Sequence, residues 1–243
     1  MNDVRTVMGI PVSLDARPVV SPELVDDAFG VLERADAVFS PFRRDSEISR
    51  LDRGELSEGS ADLLEVLQLA ARFEADSGGA FSVRAAGRLD ADGIVKGWAV
   101  QRAAELLESG GQRDFCLNAG GDIAVRGGPE PGRAWHAAIR SPWHPRAIAG
   151  VVALRDEAIA TSGAYERGAH LHDGRTGEIA NAFASVSVIH PSLTVADVCA
   201  TAIMALGPDG PAWAHDSYGC SVVTISHAGV LDAIGDVRWA RAA

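Results

Sequence analysis

The chain has 243 residues, 47% apolar and 23% charged, enough to bury a sizeable core and too apolar for extended disorder. Its net charge is −11 and its longest basic run is Arg43-Arg44, which excludes a nucleic-acid footprint. An anionic ligand such as a phosphate therefore has to be held through a cation or local donors.

The first strand is expected around Val7, Ile10, Val12 and Leu14, interrupted by Gly9 and Pro11. Pro22 opens a helix whose apolar positions Leu24, Val25, Ala28, Val31, Leu32 and Ala35 recur at helical spacing. A loop with Ser40-Pro41 follows, then a second helix from about Ala61 to Ser77, stopped by Gly78-Gly79. Residues 80–95 read as extended, and a third helix begins after Gly97 and runs to about Glu108. Short strands are expected at Phe115 to Leu117, Ile123 to Val125, Trp135 to Ile139, Gly150 to Leu154 and Val186 to Ile189. A helix from Val195 to Leu206 ends at Gly207-Pro208, and Val222 to Ile225 with Val230 to Ala233 forms a closing hairpin. Helices and strands mix without regular βα alternation, which points to an α+β fold in a single domain over residues 1–243. Cys116, Cys199 and Cys220 are far apart in apolar runs and read as buried thiols. The opening residues carry no basic-plus-apolar leader and no lipoprotein cysteine, and no window reaches the roughly 18 apolar residues of a membrane span. The expectation is a cytoplasmic protein without membrane insertion; no pattern specifies its oligomeric state.

Four constellations can carry chemistry. Asp197 and Thr201 lie four apart on a helix, so their oxygens share one face. Two hard oxygens suit Mg²⁺, which completes its shell with phosphate and water. The structural alternative is a carboxylate at the third helical position after a Thr194 cap, favoured by the helix dipole. In Asp90 to Gly97, Lys96 stands between glycines at a helix entry, a good anion site or simply a surface lysine in a loop. Asn118 to Asp122 holds a Gly-Gly turn that either hugs a ring or phosphate or closes a plain hairpin. Finally, His170 and Asp173 are close enough to cooperate, and imidazole is the usual base near neutral pH. Ser162 lacks the strand–helix elbow of hydrolase nucleophiles.

The order of these signals is more specific than any one of them. Met8-Gly9, Phe39-Ser40-Pro41-Phe42 with Asp45-Ser46-Glu47-Ile48, Ser77-Gly78-Gly79-Ala80-Phe81 and Asp90 to Gly97 come first. Ala119-Gly120-Gly121-Asp122, Thr161-Ser162-Gly163, His170 to Gly177 and Ala196-Asp197 to Thr201 complete the set. Together they resemble the ApbE family, the FAD:protein FMN transferases, over about residues 7–207. The resemblance implies a two-lobed α+β fold with mixed or antiparallel sheets flanked by helices, and FAD between the lobes. It implies Mg²⁺ on Asp197, Thr201 and the Gly93 carbonyl. Met8, Phe42, Ala80, Phe81, Ser82, Asp90, Lys96 and Leu171 match FAD-contacting positions. His170, oriented by Asp173, matches the residue that activates the acceptor hydroxyl, and Lys96 neutralises a phosphate during transfer. The implied reaction splits FAD, joins FMN to a Thr or Ser of a target protein and releases AMP. An FAD pyrophosphatase and a non-catalytic FAD-binding protein are the alternatives. The chain departs from the family pattern at Gly174, where proline is usual, at Ser82, where aspartate is usual, and in the short segment between Phe81 and Asp90.

Overall fold

The computed structural model describes residues 2–144, 146–163 and 171–240. Strand β1 (Asn2–Val7) turns back into β2 (Ile10–Arg17) through Met8 and Gly9, both left-handed at φ 53° and 71°. Such a two-residue turn matches the twist of the flanking strands, so the single expected strand is a hairpin. Helix α1 (Pro22–Phe39) starts where expected, with Ser21 accepting the Leu24 N–H. Helix α2 (Glu47–Asp52) follows the expected loop in a stretch given no element from sequence, and α3 spans Ala61–Asp76 behind a Ser60 cap.

The largest correction falls on α4, which runs Asp92–Ser109 and so begins before Gly93 and Gly97 rather than after them. Glycine is a poor helix former, but both positions here face a neighbouring helix at close range. Strands β3 (Asp114–Ala119), β4 (Asp122–Arg126), β5 (Trp135–Arg140), β6 (Ile148–Leu154), β7 (Ala158–Gly163) and β8 (Ser185–His190) follow. Helix α5 (Leu193–Leu206) is capped by Ser192, not Thr194, so Asp197 stands beyond the first turn. A further helix, α6 (Gly210–Tyr218), precedes the hairpin β9 (Ser221–Ile225) and β10 (Leu231–Ile234).

Among the described residues, eight strands form one antiparallel sheet in the order β1-β2-β3-β4-β7-β8-β9-β10, and β5-β6 form a separate hairpin. The pleat sorts their side chains onto two faces. Ala124, Ala158, Ala160, Val188 and Val222 point into the large core beneath α1, α4 and α5. Their neighbours Val125, Ile159, Ile189 and Val223 point the other way, onto Trp135, Ile139, Val152 and Leu154 of the hairpin. Helix α5 is buried on most of its circumference, wedged between α4 and strands β7 and β8. The fold is α+β, as the irregular alternation of elements predicts. No helix among the described residues is long and apolar enough to cross a membrane.

Candidate functional site

The α4–α5 crossing is set by missing side chains. A Cβ at Gly97 would lie 2.7 Å from Asp197 Cβ and 2.8 Å from the Leu193 carbonyl oxygen. With no side chain there, the Gly97 N–H donates to Asp197 Oδ2 at 2.8 Å. One turn earlier, a Cβ at Gly93 would lie 3.4 Å from Thr201 Cγ2 and 3.6 Å from Thr201 Oγ1. The i, i+4 pair on α5 thus packs over an i, i+4 pair of glycines on α4. This brings Gly93, Asp197 and Thr201 together, as the resemblance implies, and Ser162 Oγ lies 3.5 Å from Thr201 Oγ1.

These residues form one wall of a cavity of about 460 Å³. Its other walls come from Met8 and Ile10 at the first hairpin, Phe39 and Phe42 at the end of α1, Phe81 to Val83, Asp90, Asp92, Lys96, Leu171 and His172. Phe42 projects from the rim, 84% exposed, whereas Phe81 is buried edge-on against Phe73. Asp90 Oδ1 accepts the Asp92 N–H at 3.0 Å and Oδ2 meets Arg88 at 2.8 Å, so this carboxylate shapes the α4 entry.

The charges at the inner wall are coupled. Lys96 Nζ lies 2.7 Å from Asp122 Oδ2, an ion pair whose angles fall outside those of a hydrogen bond. Asp122 is 2% exposed, and its Oδ1 accepts the Thr161 N–H at 3.1 Å. Burial pushes the Asp197 carboxyl up to about 7, against the pull of the Lys96 ammonium and with a further rise from Asp122. A buried carboxyl so poorly compensated favours an added cation. Carboxylate, hydroxyl and carbonyl oxygens are the donor set of a hard ion such as Mg²⁺. Among the described residues no three His, Cys, Asp or Glu side chains converge on a metal position.

Most of the expected site residues line this cavity: Met8, Phe42, Phe81, Ser82, Asp90, Gly93, Lys96, Leu171, Asp197 and Thr201. Ala80 does not; it is buried behind the wall, and its carbonyl accepts the Gly174 N–H at 3.0 Å. Asp173 is likewise outside the lining, with its carboxylate gripped by Arg175 at 2.6 Å. Those hydrogen bonds hold the Asp173 carboxyl below the usual carboxylate range. Arg175 also donates to the Ala205 carbonyl in the last turn of α5, so Asp173 serves to anchor its loop to that helix end. His170 lies outside the described residues. Lys96, expected at a helix entry, sits inside α4 with its charge matched to Asp122. The Gly120-Gly121 turn is a plain hairpin turn, closed by Asn118 Oδ1 on the Gly121 N–H, and stays out of the cavity wall.

Sequence reasoning missed Asp122 as the partner of Lys96, along with Asp92, Ser162 and His172 in the wall. Asp122 ends a motif noted for its glycines, and the contact depends on strand β4 passing beneath α4, which no local pattern encodes. The two departures from the family pattern adjoin one another: a Cβ at Gly174 would lie 2.6 Å from Ser82 Cβ and 2.3 Å from the Gly79 carbonyl oxygen. Of the cysteines, Cys199 and Cys220 are buried as expected, while Cys116 is half-buried.

An antiparallel sheet carrying helices on one face, with a cavity walled in part by Lys96, Asp197 and Thr201, defines an α+β protein with one polar wall in an otherwise largely apolar cavity. The family is then plain from comparison: the ApbE family model matches residues 8–87 and 83–224, and the chain belongs to that family. An FAD:protein FMN transferase of Vibrio cholerae is 34% identical over 131 residues, covering 50% of this chain and 39% of that protein. One of Rhodobacter capsulatus is 35% identical over 161 residues, covering 62% of this chain and 30% of the relative. The matched part thus spans well under half the length of these curated relatives. Among solved structures, the flavin transferase ApbE of Vibrio cholerae superposes with a TM-score of 0.83 at 23% identity, covering 98% of this chain and 96% of the other. The ApbE protein of Thermotoga maritima does so at 0.81 and 19%, covering 96% of each.

Proposed function

We propose that this chain, as one domain, cleaves FAD and transfers FMN to a Thr or Ser of a target protein. The observation that carries the reading is the convergence of Gly93, Asp197 and Thr201 at the inner wall of the cavity whose rim holds Met8 and Phe42. The named activity of the relatives supports it. Asp197, Thr201 and the Gly93 carbonyl would hold Mg²⁺, and the ion would supply charge stabilisation for the pyrophosphate and the departing AMP. Lys96 adds positive charge at the same wall. The apolar walls, Phe39, Phe81 and Leu171 among them, match a flat ring system and limit water around the reacting phosphate. His170 takes the acceptor proton as the acceptor oxygen bonds to the FMN phosphorus and the bond to AMP breaks.

The test is mass spectrometry of a candidate flavoprotein after incubation with this protein, FAD and Mg²⁺. A gain matching FMN on a Thr or Ser peptide, with AMP released, is expected. Free FMN formed without any target would make the protein a pyrophosphatase, and intact FAD throughout would make it a binding protein.

A further inference from the structure

Lys96 reads from sequence as a residue reserved for substrate phosphate, but its surroundings give it another task. Its ammonium lies 2.7 Å from Asp122, and it also acts electrostatically on Asp197. Where the ammonium stands therefore decides whether its charge reaches the cavity wall or is spent elsewhere. What fixes the ammonium in place is Asp122, the first residue of β4, which is not itself part of the cavity lining. Strand β4 pairs with β7 through Ile123–Ile159 and Ala124–Ala158. At the next position the Asp122 carboxylate takes the place of a ladder partner and accepts the Thr161 N–H. Thr161 and Ser162 both line the cavity, and Ser162 Oγ reaches Thr201. One buried carboxylate therefore fixes a strand end with one oxygen and the site's lysine with the other.

We propose that Asp122 is a positioning residue of this site, acting through Lys96: its carboxylate holds the ammonium at the cavity wall, where it can meet the pyrophosphate. The inference rests on the FAD reading above. Its test is a double-mutant cycle of Asp122→Asn and Lys96→Met, read by quenching of flavin fluorescence on FAD binding in Mg²⁺, with thermal melting alongside. Asparagine keeps the acceptor for Thr161 and removes the charge. Asp122→Asn is expected to weaken FAD binding about tenfold, as coupled charged pairs do, while the double variant binds at least as tightly as Lys96→Met alone. A purely structural Asp122 would instead multiply its effect onto that of Lys96→Met, which would overturn the proposal, as would wild-type affinity in Asp122→Asn. Should Asp122→Asn fail to fold, the double variant, which removes both charges together, is compared with Lys96→Met on the same terms. A wild-type protein that quenches no flavin would sink the FAD reading itself and this inference with it; normal wild-type binding with an unaffected Asp122→Asn would sink the inference alone.

Discussion

Gly97→Ala is the sharpest single probe of the site, because one methyl group would enter the α4–α5 contact at the residue proposed to hold the cation. The added carbon would sit 2.7 Å from Asp197 Cβ, 2.8 Å from the Leu193 carbonyl oxygen and 3.0 Å from Asp197 Oδ2. Ordinary contact begins near 3.4 Å, so the helices must part by about 0.7 Å or Asp197 must rotate away. Overpacking of this kind costs about 1–3 kcal/mol. Loss of the Gly97 N–H bond to the carboxylate costs a further ~1–3 kcal/mol, while alanine in place of a helical glycine returns about 1 kcal/mol. A net loss of about 3 kcal/mol lowers the melting temperature by roughly 6–12 °C in a chain of this size. Misplacing a reacting group by nearly an ångström reduces rate on the order of 10²-fold, so FMN transfer should fall much further than stability. The control is Gly93→Ala, whose Cβ would meet Phe81 Cε2 at 3.3 Å and Thr201 Cγ2 at 3.4 Å and needs only a small adjustment. Calorimetry and a transfer assay on both variants decide the matter. A Gly97→Ala protein with unchanged melting and full activity, or one less affected than Gly93→Ala, would refute the packing argument.

Three further outcomes are expected. Thr201→Val keeps the shape of the side chain and removes the hydroxyl; the Mg²⁺ needed for half-maximal activity should rise by at least the roughly tenfold seen when even outer ligands of a metal site are lost, and an unchanged titration removes Thr201 from the metal set. Gly174→Pro should destabilise by about 2–4 kcal/mol, because it clashes with Gly79 and Ser82 and deletes the Gly174 N–H bond to Ala80; urea denaturation of this variant at or above wild-type stability would contradict that. Burial lowers the His190 imidazole below its ordinary value of 6.5. The unfolded chain then binds the proton more readily, so this contribution to stability is complete above pH 6.5 and is lost as pH falls through that value towards the lowered native one. His190→Asn should flatten that part of the urea-midpoint profile, and an identical slope in both proteins would show that His190 does not cause it.

The sequence discloses the fold class and most helices because their apolar spacing is local. It misplaces the start of α4 for a physical reason: Gly93 and Gly97 lower helix propensity, yet the bare backbone at Gly97 lets Asp197 approach and that at Gly93 leaves Thr201 room. Propensity and function conflict at those two positions, and an expectation from propensity fails at the site itself. The same holds for Asp197. Its place beyond the first turn of α5 removes the helix-dipole explanation, because the cap is Ser192, and leaves a buried carboxylate whose compensation comes from Lys96 on another helix. The matching of Lys96 to Asp122 joins residues 26 positions apart through the crossing of β4 under α4, and only the tertiary structure contains it. Gly174 and Ser82 are far apart in sequence but in contact in space, where the absence of a side chain at 174 lets the 79–82 segment close onto the 173–177 turn. Motif order thus pointed to much of the cavity wall but not to Asp92 or His172, and folding added the pairing of Lys96 with Asp122. On the proposed reading, an acidic protein takes a dianionic pyrophosphate here because Lys96, though paired with Asp122, stands at the wall with Asp197, and the accompanying cation makes the site attractive to the ligand.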